Sequence, residues 1–309
     1  MSLSHMSFSK QVTIFEGPDG SGKTTAAQNY AERTNARYVH FPALPQVRHG
    51  LARMYVEAML PALLGYQDVV LDRCWLSETP YGEAFREGAD RLTMADRRML
   101  ERLAYRCGAV VVLCMPRWLT VKENFMKRKH LEMLKNDQQL KQVYEIYRNQ
   151  GSGLPLIPYD YETHPEAMLT QQVYNSRSPC HSLDRLSAGN WDAPTVLVGE
   201  AFADRKDQDP WYQWPFASFS DQGCSQWLTN QLIEAEVSEA SLLWVNADQE
   251  LSFIRDLEWH PQVVALGATA SRKLSEVGIT AEHVEHPQYW KRFQSKTVYP
   301  LLDLIGEEP

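Results

Sequence analysis

The sequence predicts an α/β protein: a parallel sheet with helices on both faces, then a second, smaller α/β domain. Three observations carry this. Short apolar, β-branched runs alternate with helix-compatible stretches through the first 175 residues. A glycine-rich loop joins the first such run to the first helix. After a polar, turn-rich stretch the alternation begins again. A chain of 309 residues also suits two domains of ordinary size better than one.

In order, strands are expected at 12–16, 37–41, 68–72, 109–115 and 156–159. Helical patterns occupy 24–34, 46–64, 93–106 and 117–148, with a further one near 164–175. The run Ala109-Val110-Val111-Val112-Leu113 is apolar throughout, as a strand covered on both faces must be. Residues 176–193 are polar and rich in turn formers, and read as a linker. Beyond it, strands are expected at 195–199, 241–246, 263–267 and 283–285, and helices at 223–235, 268–276 and 288–305. The domains are therefore drawn as 8–175 and 194–309, with residues 1–6 set aside as a leader.

Composition narrows the class. A 44% hydrophobic and 23% charged chain reads as globular and soluble. No apolar run approaches transmembrane length and no signal peptide is visible, so a cytoplasmic protein without a membrane partner is expected. The five cysteines are scattered with no C-x-x-C pair, which points to reduced thiols rather than a zinc or iron–sulfur site. Residues 1–175 hold 21 Lys+Arg against 19 Asp+Glu, and residues 176–309 hold 10 against 20, which accounts for the net −8. So acidic a second half argues against nonspecific DNA binding through bulk charge.

Gly17-Pro18-Asp19-Gly20-Ser21-Gly22-Lys23-Thr24 satisfies G-x-x-x-x-G-K-[ST], with Thr25 following. Glycines let the backbone curl so that successive N–H groups converge on phosphate oxygens, and the helix N-terminus adds its dipole. Residues 17–25 thus form the expected nucleotide-binding segment. Lys23 is expected to reach the β- and γ-phosphates and the Thr24 hydroxyl to ligate Mg²⁺. Asp72 ends an apolar strand at the edge where α/β sheets bind ligands, and can hold the same Mg²⁺ through water. Arg73 can clamp an acceptor phosphate bidentately, although Asp72-Arg73 also reads as a surface ion pair.

The string Glu16-Gly17-Pro18-Asp19-Gly20-Ser21-Gly22-Lys23-Thr24-Thr25, followed by Leu71-Asp72-Arg73, Ser77 and Tyr81, resembles the thymidylate kinase family. The resemblance covers about residues 8–175. It implies ATP as phosphoryl donor, Mg²⁺ as cofactor, catalytic roles for Lys23, Asp19, Asp72 and Arg73, and a tendency to form homodimers. It also implies a mobile lid at the basic stretch Arg117, Lys122, Lys127, Arg128 and Lys129, where Arg128 or Arg117 can neutralise transition-state charge. A solvated helix face explains that stretch equally well. The family's R-E-P-G segment is absent; Phe41-Pro42-Ala43-Leu44-Pro45 stands there, so the acceptor pocket is built differently, with Arg48, His49 and Arg53 as substitute contacts.

In the second half, Gly199-Glu200-Ala201, Val245-Asn246 and His286-Pro287 follow in the order seen in the uracil-DNA glycosylase superfamily, which they resemble over about residues 194–305. The resemblance implies that Glu200 orients a water, Asn246 reads a pyrimidine edge and His286 donates to a base carbonyl. Trp211, Tyr212, Trp214, Phe216 and Phe219 can stack a flipped base or form a satellite core. Together the two halves resemble bacteriophage kinases that phosphorylate the hydroxymethyl group of 5-hydroxymethyluracil in DNA during thymidine hypermodification. That expectation makes DNA with a modified pyrimidine the partner and the host cytoplasm the location. A deoxynucleoside monophosphate kinase with an attached DNA-binding or glycosylase domain is the alternative.

Overall fold

The structure is a computed structural model that describes residues 10–42, 50–128, 134, 136–149, 151–176, 187–200, 224–294 and 296–305. The chain divides into two compact units. A P-loop unit takes residues 9–93 and 107–179, and a second unit takes residues 94–106 and those from 180 onward.

The P-loop unit is built on a five-stranded, all-parallel sheet in the order β2-β3-β1-β4-β5. Its strands are β1 (Val12–Glu16), β2 (Arg37–His40), β3 (Val69–Asp72), β4 (Val110–Cys114) and β5 (Leu156–Tyr159). Helix α1 (Lys23–Thr34) follows β1, α2 (Leu51–Leu63) follows β2, and α3 (Glu78–Phe85) follows β3 after a 3₁₀ turn at Trp75–Ser77. Helix α4 (Met94–Arg106) comes next in the chain but belongs to the second unit. Then come α5 (Trp118–Arg128), α6 (Asp137–Asn149) and α7 (Glu166–Asn175).

The central strand β1 is buried at every residue. Strand alternation sends Phe15, Val70, Val110 and Val112 to one face, where they pack with Ala27, Tyr30, Leu169 and Val173 of α1 and α7. The helical pattern read over 117–148 is two helices. Asn136 accepts a hydrogen bond from the Gln139 N–H at 2.9 Å, and this N-cap starts α6 afresh.

The second unit has its own five-stranded sheet, in the order β10-β9-β7-β8-β6. The strands are β6 (Ser187–Gly189), β7 (Thr195–Gly199), β8 (Leu242–Asn246), β9 (Gln262–Leu266) and β10 (Glu282–Val284). All pairings are parallel except β6 with β8. Helices α8 (Cys224–Glu234), α9 (Ala268–Glu276), α10 (Pro287–Phe293) and α11 (Pro300–Ile305) accompany it. One face buries Val196, Val198, Leu243 and Val245 with Phe253, Ala270 and Leu274. The other buries Leu197, Leu242, Trp244 and Val264 with Leu228, Leu232 and Tyr299.

Two expectations are corrected here. The stretch read as a linker contains strand β6 and the buried Ala188, Trp191 and Ala193, a few apolar residues that suffice for an edge strand. The helix expected over 288–305 is two short ones: α10 ends at a Gln294 cap, and Pro300, which lacks an N–H, suits the first turn of α11.

Helix α4 packs against β6 and α8. Its Arg102 is 1% exposed. The Arg102 Nε and Nη2 donate to Glu239 at 3.0 and 2.6 Å, and Nη2 also reaches Thr229 Oγ1 at 3.1 Å. Its guanidinium lies 4.4 Å over the Trp244 ring, and the Trp244 indole N–H completes the cluster by donating to Glu239 at 3.2 Å. Arg98 adds a bond to the Val237 carbonyl at 2.6 Å. Among the described residues no helix is long and apolar enough to cross a membrane.

Candidate active site

Strand β1 delivers the chain to the loop at 17–22, and α1 begins at Lys23. The base of the loop is locked by Glu16, which is 1% exposed. Its carboxylate accepts from the Cys74 N–H at 2.7 Å, the Ser77 hydroxyl at 2.8 Å and the Tyr147 hydroxyl at 2.8 Å. Gly17 has φ 144°, and a Cβ there would sit 2.4 Å from the Cys114 carbonyl oxygen, so no other residue passes between β1 and β4 at this point. Ser21 is fully buried, with an Oγ that has no hydrogen-bond partner among the described residues. Such a cradle fits phosphate oxygens.

Lys23 is 5% exposed. Its Nζ donates to the Pro18 carbonyl at 3.3 Å and lies 3.6 Å from Asp19 Oδ1. Burial and the nearby Arg73 charge lower the Lys23 pKa despite support from Asp19, Asp72 and Glu16. The protein's own carboxylates thus under-compensate its cation, as suits a group whose partner is a polyphosphate.

Arg73 follows β3 with a left-handed φ of 73°, a strained backbone for a non-glycine residue. Its guanidinium pairs with Asp19 and stands 4.8 Å over the Tyr81 ring. Burial acts on Asp19 to raise its pKa, but the Arg73 and Lys23 charges oppose it, and the carboxyl is held below its ordinary value. Asp19 is therefore a strong hydrogen-bond acceptor and a weak proton sink.

Asp72 is fully buried at the end of β3. Its Oδ2 accepts from the Tyr38 hydroxyl at 2.8 Å and meets His40 Nδ1 at 2.8 Å, while Oδ1 is buried with no partner among the described residues. A buried carboxylate oxygen with no partner among the described residues is chemically suited to the metal that accompanies a nucleoside triphosphate.

Lys23, Arg73 and Tyr81 line a cavity of about 940 Å³, and Asp72 is not among its lining residues. Asp19, Gly20, Gly22, Lys23, Thr24 and Thr25 line it from the loop. Lys127 of α5 and Tyr161 and His164, after β5, line it too. Asn124 donates to the Gly20 carbonyl at 3.1 Å and to the Tyr161 hydroxyl at 2.9 Å, which ties α5 to the loop. Phe41, Tyr55, Glu78, Arg86 and Arg91 complete the wall. Arg128 ends α5, and of Arg48, His49 and Arg53 only the last is described; it is exposed and pairs with Glu57 at 2.8 Å. Arg48, His49 and Lys129 lie outside the described residues.

In the second unit, Glu200 follows β7, Asn246 ends β8 and His286 caps α10 after β10, so all three stand at the C-terminal ends of parallel strands. Asn246 is in register with Gly199. Glu200 Oε1 accepts from the Thr269 N–H at 2.9 Å at the start of α9. Gly267, with φ 113°, permits this approach, since a Cβ would lie 2.4 Å from that oxygen. His286 Nδ1 accepts from the Gln288 N–H at 3.1 Å. Burial lowers the His286 pKa, and the Glu200 charge only partly offsets it. The aromatic residues at 211–219 lie outside the described residues.

The loop, the strand order and the helices on both faces give the first unit a P-loop kinase fold. No family model and no curated protein matches the chain. Similar solved structures include the YorR protein of Bacillus subtilis in complex with phosphorylated GDP, 19% identical with a TM-score of 0.44 over 53% of this chain and 94% of that one. The deoxyadenosine kinase of M. mycoides with bound dCTP is 14% identical, with a TM-score of 0.36 over 54% of this chain and 100% of that one. A gluconokinase from Sinorhizobium meliloti 1021 is 15% identical, with a TM-score of 0.36 over 55% of this chain and 91% of that one.

Proposed function

We propose that the chain is an ATP-dependent phosphotransferase whose acceptor is the hydroxymethyl group of 5-hydroxymethyluracil in DNA. One observation carries the reaction class: the P-loop, the Asp19–Arg73 pair and the aromatic wall of Phe41 and Tyr55 all line one cavity. Donor phosphates and a planar acceptor can therefore share a single site.

The loop amides and Lys23 bind and orient the triphosphate, and Arg73 balances charge as it spreads over the transferring group. The acceptor oxygen forms a bond to the γ-phosphorus as the bond to the β–γ bridging oxygen breaks, and the hydroxyl proton passes to solvent. Asp19 aligns that hydroxyl by accepting its hydrogen bond. Mg²⁺ arriving with ATP would be held by Thr24 and Asp72 and would supply charge neutralisation. Arg128, at the end of α5, is the candidate lid cation. In the second unit, Glu200, Asn246 and His286 are the candidate grip on a flipped base.

The test is γ-labelled ATP with duplex DNA containing 5-hydroxymethyluracil. Label is expected in the DNA and should drop at least about 10²-fold in Lys23→Ala. Label that enters free thymidylate or its hydroxymethyl analogue, and never DNA, overturns the acceptor. That outcome would establish the second reading, a deoxynucleoside monophosphate kinase, which is favoured by the arginines that line the same cavity. Base release from uracil or modified DNA, lost in Glu200→Gln, would make the second unit an active glycosylase rather than a binding module.

A further inference from the structure

Glu78 opens α3 with a carboxylate that is 4% exposed, yet it holds two guanidiniums. Arg91 Nε and Nη2 donate to Oε2 and Oε1 at 2.8 and 2.6 Å, a bidentate fork. Arg86 Nη2 donates to Oε2 at 3.1 Å and to the Glu78 carbonyl at 2.8 Å, and Arg86 Nε donates to the Ala89 carbonyl at 3.0 Å. Arg86 Nη1 has no hydrogen bond among the described residues. All three side chains line the cavity that Lys23 and Thr24 line. Phe41 and Tyr55 stand in the same wall with ring centroids 4.7 Å apart.

Asp90 supports both guanidiniums alongside Glu78, so the charges of the cluster balance, and the donor capacity left over lies at Arg86 Nη1. At Arg86, burial is the largest influence and, with the Arg91 charge, outweighs the support of Glu78, so the pKa is held down. Arg86 is kept in a ligand-sized cavity with Nη1 left over, beside an aromatic wall suited to a base.

We infer that Arg86 and Arg91, oriented by Glu78, form a second anion subsite of the cavity that takes a phosphate ester of the acceptor nucleotide. The inference rests on the phosphotransfer reading for the role of that nucleotide. A free 5′-monophosphate and a DNA phosphodiester present the same chemistry to the two guanidiniums. Planar forks suit phosphate oxygens, and the P-loop already provides for the donor's phosphates.

The test is equilibrium binding to the full chain in the presence of a non-hydrolysable ATP analogue. The ligands are thymidine, thymidine 5′-monophosphate and a short single-stranded thymidine oligonucleotide. At least one phosphate-bearing ligand should bind tenfold or more better than thymidine, and which one does so distinguishes free nucleotide from DNA. Arg86→Gln should weaken that ligand about 10- to 100-fold, with thymidine and the ATP analogue unmoved. Arg86→Lys, which keeps the charge and loses the fork, should fall between.

Equal weakening of thymidine and its monophosphate, no effect of Arg86→Gln, or no binding by either phosphate-bearing ligand would overturn the subsite. A preserved phosphate preference without transfer to any acceptor would instead sink the phosphotransfer reading alone.

Discussion

Glu101 shows how a single side chain can set the pH response of a unit. Burial, then the Glu239 carboxylate, pushes its pKa up from 4.5 to about 7, against the pull of Arg98, Arg97 and Arg102. Below pH 4.5 both folded and unfolded chains hold this proton. Between about 4.5 and 7 the unfolded chain releases it first, so the stability contributed by Glu101 falls as pH rises and stays lost above 7. Glu101→Gln should therefore raise the urea midpoint at pH 8 and leave it nearly unchanged at pH 4. Equal shifts at both pH values would contradict this. Nothing in the local sequence marks Glu101, since its near neighbours Arg97, Arg98 and Arg102 pull the other way and the Glu239 carboxylate lies far along the chain. The P-loop is the opposite case: its residues are contiguous, so Gly17 through Thr24 are legible as letters. Glu78, Arg86 and Arg91 carry no motif, and only the packing of α3 and the turn after it brings them to the cavity wall.

At the scale of elements, strands are the most legible, because short β-branched and apolar runs bounded by turn residues mark them. The runs at 12–16, 156–159 and 195–199 coincide with β1, β5 and β7. Helix ends were harder, as Asn136 and Pro300 divide patterns that periodicity alone joins. Helix α4 was read correctly as a helix, but an amphipathic stripe says that a face is covered and not by what. Its buried Arg102 makes a strong prediction. Arg102→Ala leaves the Glu239 charge buried without its arginine, with the Trp244 N–H still donating to it, and should cost about 3–5 kcal/mol in chemical denaturation. Replacing both partners by apolar residues, Arg102→Met with Glu239→Leu, should cost less than the single change. A double variant as unstable as Arg102→Ala would show that the pair itself, rather than the orphaned charge, carries the effect.

For the whole molecule, the division into units does not follow the order of the chain, because residues 94–106 leave the P-loop unit's sequence to join the second sheet. A fragment of residues 180–309 lacks the partner of Glu239 and the cover of β6 and α8. It should fail to show a cooperative unfolding transition by circular dichroism, and a fusion that restores residues 90–107 should recover one. A cooperative transition in the bare fragment would refute this.

Helix α4 also has a consequence in time. Arg102 precedes Glu239 by 137 residues. At about 5–20 residues per second, a ribosome needs roughly 7–27 seconds to bring the second after the first. Through that interval the nascent helix carries a cation and an apolar face whose own unit is not yet made. The sheet it belongs to can close only once residue 239 has left the exit tunnel. A chaperone that binds exposed amphipathic segments would find its target here before β7 and β8 of its own unit have been translated.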